Sequence, residues 1–153
     1  MQYRMATKAD IELLVTLRLA FIHIQEDDER YGELKKNCDT YFNKAYADNT
    51  CDVVLTEENG NCIATGIVFY YDSVPSPFNT TGKNAYITSM YVEPGYRRQG
   101  IGTEILNRVI ECAKNRGVTA MFLSASEMGR PLYEKRGFTD SKNGMMLELK
   151  SEI

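Results

Sequence analysis

The sequence predicts an α+β fold in which a mixed, mostly antiparallel sheet is flanked by helices. Three observations carry that expectation. Asp52–Thr56 and Cys62–Tyr71 are β-rich runs joined by Glu57-Glu58-Asn59-Gly60-Asn61, where Asn-Gly marks a hairpin. Asn84–Met90 is an apolar, β-rich run with the look of a buried strand. Beyond it, Ile101, Ile105, Leu106, Val109, Ile110 and Ala113 recur at helical spacing.

In order, Gln2–Met5 reads as a short strand. Thr7-Lys8-Ala9-Asp10 is a capping-box pattern, with Thr7 as N-cap and Asp10 reaching back. The next helix carries Ile11, Leu14, Leu17, Phe21 and Ile24 on one face and contains the chain's one histidine, His23. A second helix spans Tyr31–Ala47, with Leu34, Cys38, Tyr41, Phe42 and Ala45 at helical intervals and Asn49-Thr50 ending it. The hairpin strands come next, then the long loop Asp72–Lys83, which two prolines and a glycine keep out of regular structure. That loop is either a border of an acceptor pocket or a surface hairpin extension. The strand to Met90 and the helix Ile101–Arg116 come after it, with Gly117 as the stop. Thr119–Ala125 reads as a buried strand, Arg130–Arg136 as a short helix closed by Gly137-Phe138, and Met145–Lys150 as a last strand.

At 153 residues, with 25% charged and 43% hydrophobic residues and no repeat, low-complexity tract or linker, a single soluble domain over residues 1–153 is expected. A net charge of −3 argues against a nucleic-acid binder that relies on bulk electrostatics. No apolar run approaches the roughly 20 residues of a membrane span. Met1-Gln2-Tyr3-Arg4 lacks a signal-peptide layout, and a cytoplasmic location with reduced thiols is expected. Four scattered cysteines without a C-x-x-C, beside one histidine, argue against bound metal.

The strongest chemical signal lies where strand hands over to helix, at Tyr91-Val92-Glu93-Pro94-Gly95-Tyr96-Arg97-Arg98-Gln99-Gly100-Ile101-Gly102-Thr103. A helix N-terminus carries unpaired N–H groups and partial positive charge. Gly100 and Gly102 let an anion approach the backbone, and Arg97 and Arg98 add forked donors for phosphate oxygens. The physical reading is a pyrophosphate cradle. A Walker A loop does not fit, lacking its lysine and spacing, and the dinucleotide fingerprint lacks its third glycine.

Arg97-x-x-Gly100-x-Gly102 after Val92-x-Pro94 resembles instead the acetyl-CoA motif of the GNAT N-acetyltransferase superfamily. A second motif, Leu132-Tyr133-Glu134-Lys135-Arg136-Gly137-Phe138, resembles that family's L-Y-E-K-x-G-F signature and stands in the family's order. The resemblance implies the GNAT acyl-CoA N-acyltransferase fold and acetyl-CoA as co-substrate, without a metal. It implies backbone pairing with pantetheine at Met90, Tyr91 and Val92, and a pyrophosphate loop of Arg97, Arg98, Gln99, Gly100, Ile101, Gly102 and Thr103. Tyr133 corresponds to the tyrosine beside the cofactor sulfur. Many members carry Asn where this chain has Ser126, whose shorter side chain can still hydrogen-bond to pantetheine. A homodimer is also what the resemblance implies.

The expected reaction is direct acetyl transfer to a primary amine of a small molecule or peptide. Gln25-Glu26-Asp27-Asp28-Glu29 is either a solvated helix end or a negative rim, helped by Tyr31, that favours a cationic acceptor. His23 is either a packing or surface residue or a base. Further candidate bases are Glu26, Asp27 and Ser89 acting through water. Tyr133 is either the partner of the leaving thiolate or an aromatic packed under Phe138. Other readings are a non-catalytic acyl-CoA-binding regulatory module, and a nucleotide-binding regulator that uses Arg97 and Arg98 on ATP.

Overall fold

The protein is described by a computed structural model covering residues 1–141 and 144–149. Its elements are β1 (Gln2–Met5), α1 (Ile11–Phe21), α2 (Tyr31–Asp48), β2 (Cys51–Glu58), β3 (Asn61–Asp72), β4 (Lys83–Val92), α3 (Ile101–Asn115), β5 (Ala120–Leu123) and α4 (Arg130–Lys135). The five strands form one sheet in the order β1-β2-β3-β4-β5. All neighbours are antiparallel except β4 and β5, which run parallel. This is the mixed, mostly antiparallel α+β architecture expected.

Local chemistry sets the element ends. Thr7 and Asp10 form the predicted capping box, opening a turn of 3-10 helix that leads into α1. Asn59 and Gly60 both adopt positive φ, 52° and 78°, as a two-residue hairpin turn of the twist-matched type requires. The helix expected to reach Ile24 stops at Phe21 instead. His23, with φ 57°, donates its N–H to Ala20 O, and Ile24 donates to Leu19 O. That is a Schellman cap with Ile24 folded back onto the core, so His23 lies outside the helix and is exposed.

Two apolar clusters sandwich the sheet. On one face α3 inserts Ile101, Ile105, Leu106, Val109 and Ala113, all at most 2% exposed, against Val54, Ala64, Val68 and Ala85. Each branched side chain so buried contributes about 2 kcal/mol. On the other face α1 and α2 pack Leu14, Val15, Leu19 and Phe42 against Val53, Leu55 and Ile67.

One expectation is corrected. The last strand, Met145–Lys150, does not form over its described part. Residues 144–149 have no regular structure, and the side chains of Met145, Met146, Leu147 and Leu149 are 80–99% exposed; Lys150 lies outside the described residues. Met, Leu and Glu are weaker strand formers than β-branched and aromatic residues, and residues 144–149 pair with no strand of the sheet. The long loop, residues 73–82, joins antiparallel β3 and β4 as a hairpin extension with a Ser76–Asn79 bridge. It is organised by buried Asn79, whose Nδ2 donates to Lys83 O and Asn84 Oδ1 and whose Oδ1 accepts from Thr81, Thr119 and Gly82 N. It joins β4 at the end opposite the Arg97–Thr103 loop, about 30 Å along the strand at ~3.3 Å per residue. Among the described residues, no helix is long and apolar enough to cross a membrane.

Candidate acetyl-CoA site

The site begins with an irregularity in β4. Thr65 pairs with Tyr91 and Ile67 with Thr88, so Ser89 and Met90 together face the single residue Gly66. This is a β-bulge, and Ser89 takes a left-handed φ of 50°. Gly66 has no Cβ because one there would run into Ile105 of α3 and Met90 Sδ. At the bulge the sheet also loses a strand. β5 pairs with β4 only from Asn84 to Ile87, and its last partner is Leu123. From Thr88 to Val92 the β4 edge that faced β5 has no strand beside it, while β3 still covers the other edge. An extended, amide-bearing ligand arm can add to such an edge as a strand would.

Val92 leads through a turn at Pro94–Tyr96 to the arginine-glycine loop. Arg98 and Gly100 lie in left-handed conformations, φ 61° and 84°. Among the described residues none of the N–H groups from Arg98 to Thr103 donates to a protein acceptor; the first intrahelical bond runs from Glu104 N to Gly100 O, 3.0 Å. Consecutive free N–H groups with alternating handedness at a helix N-terminus form an anion-binding nest. A Cβ on Gly100 would point into open space, with nothing within 4 Å, so it is the left-handed φ that calls for glycine there. At Gly102 a Cβ would meet Leu132 at 3.5 Å and Val92 at 3.9 Å, ordinary contact distances that leave room for it. Ile101 is 2% exposed and offers only its backbone. Arg97 is anchored by its Nε on Val92 O at 2.8 Å and donates from Nη1 to Met128 Sδ at 3.9 Å, with its guanidinium 5.9 Å from the Tyr91 ring centre, so among the described residues Nη2 has no partner. Gln99 reaches back to Gly95 O at 3.4 Å, and Thr103 is exposed.

The second motif is a capped helix that positions an aromatic. Gly137, with φ 103°, and Phe138 return their N–H groups to Glu134 O and Tyr133 O, both at 3.0 Å. In this Schellman cap the residue after the glycine packs on the last turn, and Phe138 meets Tyr133 edge-on at 5.9 Å. The packing reading of Tyr133 is therefore correct for its ring. Its hydroxyl has no hydrogen-bond partner among the described residues, and burial raises its pKa. Ser126 Oγ accepts from Gly129 N at 3.1 Å, capping the turn before α4 while its own proton remains to donate. A cavity lined by Met121, Leu123, Arg130, Tyr133 and Phe138 runs between β5 and α4.

The candidate bases fare unequally. Ser89 is buried and accepts a hydrogen bond from Arg18 Nη1 at 2.9 Å, beside a fixed positive charge that disfavours proton uptake. Glu26 and Asp27 are exposed in the α1–α2 connection, where Asp28 is held by Arg30 at 2.7 Å. Burial raises all four thiols, Cys51 to about 11, which disfavours a cysteine nucleophile. Among the described residues no His, Cys, Asp and Glu cluster could hold a metal. Sequence reasoning missed Arg18 because one arginine in an amphipathic helix carries no local signal. A further cleft, about 940 Å³, lies between α1 and α2 and is lined by Thr16, His23, Tyr31, Lys35 and Asp39.

Comparison with known proteins agrees with this geometry. Residues 18–138 match the family model described as Acetyltransferase (GNAT) family. The chain is 40% identical over 63 residues to the thialysine N-epsilon-acetyltransferase of Mus musculus, 39% of this chain and 37% of that protein. It is 33% identical over 64 residues to the glucosamine 6-phosphate N-acetyltransferase of Trypanosoma brucei brucei, 42% of this chain and 44% of that protein. The chain thus spans less than half the length of these curated relatives. Its fold superposes with TM-score 0.85 on a predicted acetyltransferase from Clostridium acetobutylicum solved with acetyl-CoA, at 37% identity over 96% of this chain and 95% of that one.

Proposed function

The chain belongs to the Acetyltransferase (GNAT) family, and from that premise we propose that it is an acetyl-CoA-dependent N-acetyltransferase acting on a primary amine of a small molecule or peptide. One observation carries the reading: an unpaired β4 edge, Thr88–Val92, runs directly into a nest of free N–H groups from Arg98 to Thr103. An extended amide arm that ends in a pyrophosphate matches that pair of features. The relatives named for thialysine and for glucosamine 6-phosphate support a small amine as acceptor.

In this reading the nest and the outer nitrogens of Arg97 and Arg98 hold the pyrophosphate, and the backbone at Met90, Tyr91 and Val92 pairs with the pantetheine amides. Ser126 donates its hydroxyl proton to the same arm in this reading, its oxygen already accepting from Gly129 N. Bound acetyl-CoA would supply an activated acetyl thioester. An acceptor amine of pKa ~10.4 is neutral in only about one molecule in 10³ near pH 7, so the site must select or generate that form. The acidic residues Glu26, Asp27 and Glu29 draw protonated amines toward the α1–α2 rim, and proton removal falls to water or a carboxylate there. Tyr133 Oη keeps its proton and hydrogen-bonds the departing sulfur. A thiol near ~8.5 is a stronger acid than an ordinary tyrosine near ~10, and burial widens that gap, so complete transfer from Tyr133 is disfavoured.

The test is calorimetric titration with acetyl-CoA, dephospho-CoA and ATP, followed by thiol release with an amine panel. Micromolar, selective binding of acetyl-CoA and amine-dependent thiol release are expected. Binding without turnover would leave an acyl-CoA-binding module, and no binding would mean that the Arg97–Gly102 loop is a structural turn.

A further inference from the structure

Arg18 stands apart from the chain's other half-buried arginines. Arg4 grips Asp10 and Glu57, and Arg116 grips Asp52. Arg18 has no carboxylate partner among the described residues. Its one hydrogen bond runs from Nη1 to Ser89 Oγ at 2.9 Å, and its guanidinium carbon lies 5.9 Å from the Phe21 ring centre. The other N–H groups of the fork find no acceptor among the described residues. A guanidinium drawn part-way out of water without a counter-charge is costly, and the residues that keep it there are those of the bulge. Ser89 is 3% exposed at its left-handed φ, and Phe21 stands edge-on to Tyr91 at 6.2 Å. Helix α1 therefore delivers one uncompensated positive charge to the point where β4 and β5 part.

The side of the sheet matters. On the α3 face the bulge is closed by Met90, Ile105 and Leu132, which belong to the packed core. On the α1 face of the open edge stands Arg18, where an acceptor approaching from that side meets it. We propose that Arg18 binds a carboxylate of the acceptor, so that the amine acetylated belongs to an amino-acid-like molecule carrying its own acid group. The planar fork matches a carboxylate through two parallel N–H···O bonds. Ser89 holds one end of the fork and thereby fixes the direction in which the remaining donors face.

The inference rests on the transferase reading, and one experiment separates the two. Thiol release from acetyl-CoA is measured with matched amines: L-lysine against L-lysinamide, β-alanine against β-alaninamide, and O-phosphoethanolamine against ethanolamine. The carboxylate-bearing members are expected to win by about ten- to a hundredfold in kcat/KM, mostly through KM, as a charge-assisted hydrogen bond warrants. Arg18→Gln should erase that preference and Arg18→Lys should keep part of it, with KM for acetyl-CoA unchanged in both. Equal turnover of both members by the unmodified protein, which needs no variant to fold, overturns the inference. So does a preference that survives Arg18→Gln, or one confined to the phosphate pair. Turnover of no amine in either form removes the transferase reading itself, a different result from turnover without discrimination.

Discussion

Replacing Tyr133 by phenylalanine tests the chemistry with little structural confound. The ring is 9% exposed and its packing against Phe138 survives the change. The hydroxyl has no partner among the described residues, so no hydrogen bond within them is lost. Stability should stay within about 0.5 kcal/mol, the range of substitutions that disturb no packed or paired group. For a chain of this size that is a Tm change of about 2 °C or less. Turnover should fall by about 10²-fold or more, which is about 2.7 kcal/mol of lost transition-state stabilisation. Acetyl-CoA affinity should be nearly unchanged. Steady-state thiol release, a calorimetric titration and a thermal melt measure the three quantities. The pH profile adds a second reading. Burial raises the Tyr133 pKa above its ordinary ~10, so the phenol keeps its proton across the neutral range and supports activity until the pH exceeds that value. A kcat within about threefold of the parent would refute the role. So would a loss of activity below about pH 9 in the parent that disappears in the phenylalanine variant, because it would mean a tyrosine ionising below its ordinary ~10.

Gly100→Ala should cost about 1 kcal/mol, since φ 84° is left-handed, and lower Tm by about 2–4 °C. Its acetyl-CoA Kd should rise about tenfold as the nest reorients, the worth of roughly one phosphate hydrogen bond; an unchanged Kd beside a lowered Tm would make the loop purely structural. Arg97→Ala should weaken acetyl-CoA about tenfold and flatten the salt dependence of binding, because one exposed cation is removed; titration at two ionic strengths reads this. Asp10 is held at a pKa of about 2, first by its hydrogen bonds to Arg4, below its ordinary value of 3.8. Its contribution is therefore present above about pH 4 and lost as pH falls toward 2. Urea unfolding of Asp10→Asn against the parent should show a gap of about 1 kcal/mol at pH 6, discounted for partial exposure, that narrows by pH 3. A gap independent of pH would remove the ion pair from the stability account.

The legible part of the sequence is what local pattern dictates. The 3.6-residue recurrence from Ile101 to Ala113 is the buried face of α3, and Asn59-Gly60 is the hairpin turn. The two motifs can be read because each packs a backbone requirement into a few residues: free N–H groups before α3, and a left-handed glycine after α4. The illegible part depends on partners far along the chain. Nothing near Thr119–Ala125 says that strand pairing ends at Leu123. Spacing alone puts His23 in α1, because Phe21 and Ile24 sit at helical intervals, while the Schellman cap uses the same apolar Ile24 to end the helix. Met145–Leu149 shows the opposite error: an apolar run suggests a strand, yet a strand also needs an edge to bond, which composition cannot supply.

The bulge at Ser89–Met90 explains why these parts belong together. With a regular register, side chains would alternate cleanly between the α1 and α3 faces, and β5 could continue alongside β4 past Ile87. One extra residue disrupts both. Met90 turns to the α3 core beside Gly66, where only a glycine leaves room for its sulfur and Ile105. Ser89 turns to accept from Arg18 on the α1 side. Between them the strand bends and leaves its edge from Thr88 to Val92 without a neighbour, in line with the nest at α3. The left-handed φ of a serine costs about 1–2 kcal/mol, and the protein offsets it through the packing of Met90 and the bond to Arg18. The unpaired edge and the charge of Arg18 are thus coupled through two adjacent residues: the same backbone irregularity that frees the edge also fixes where the cation beside it stands.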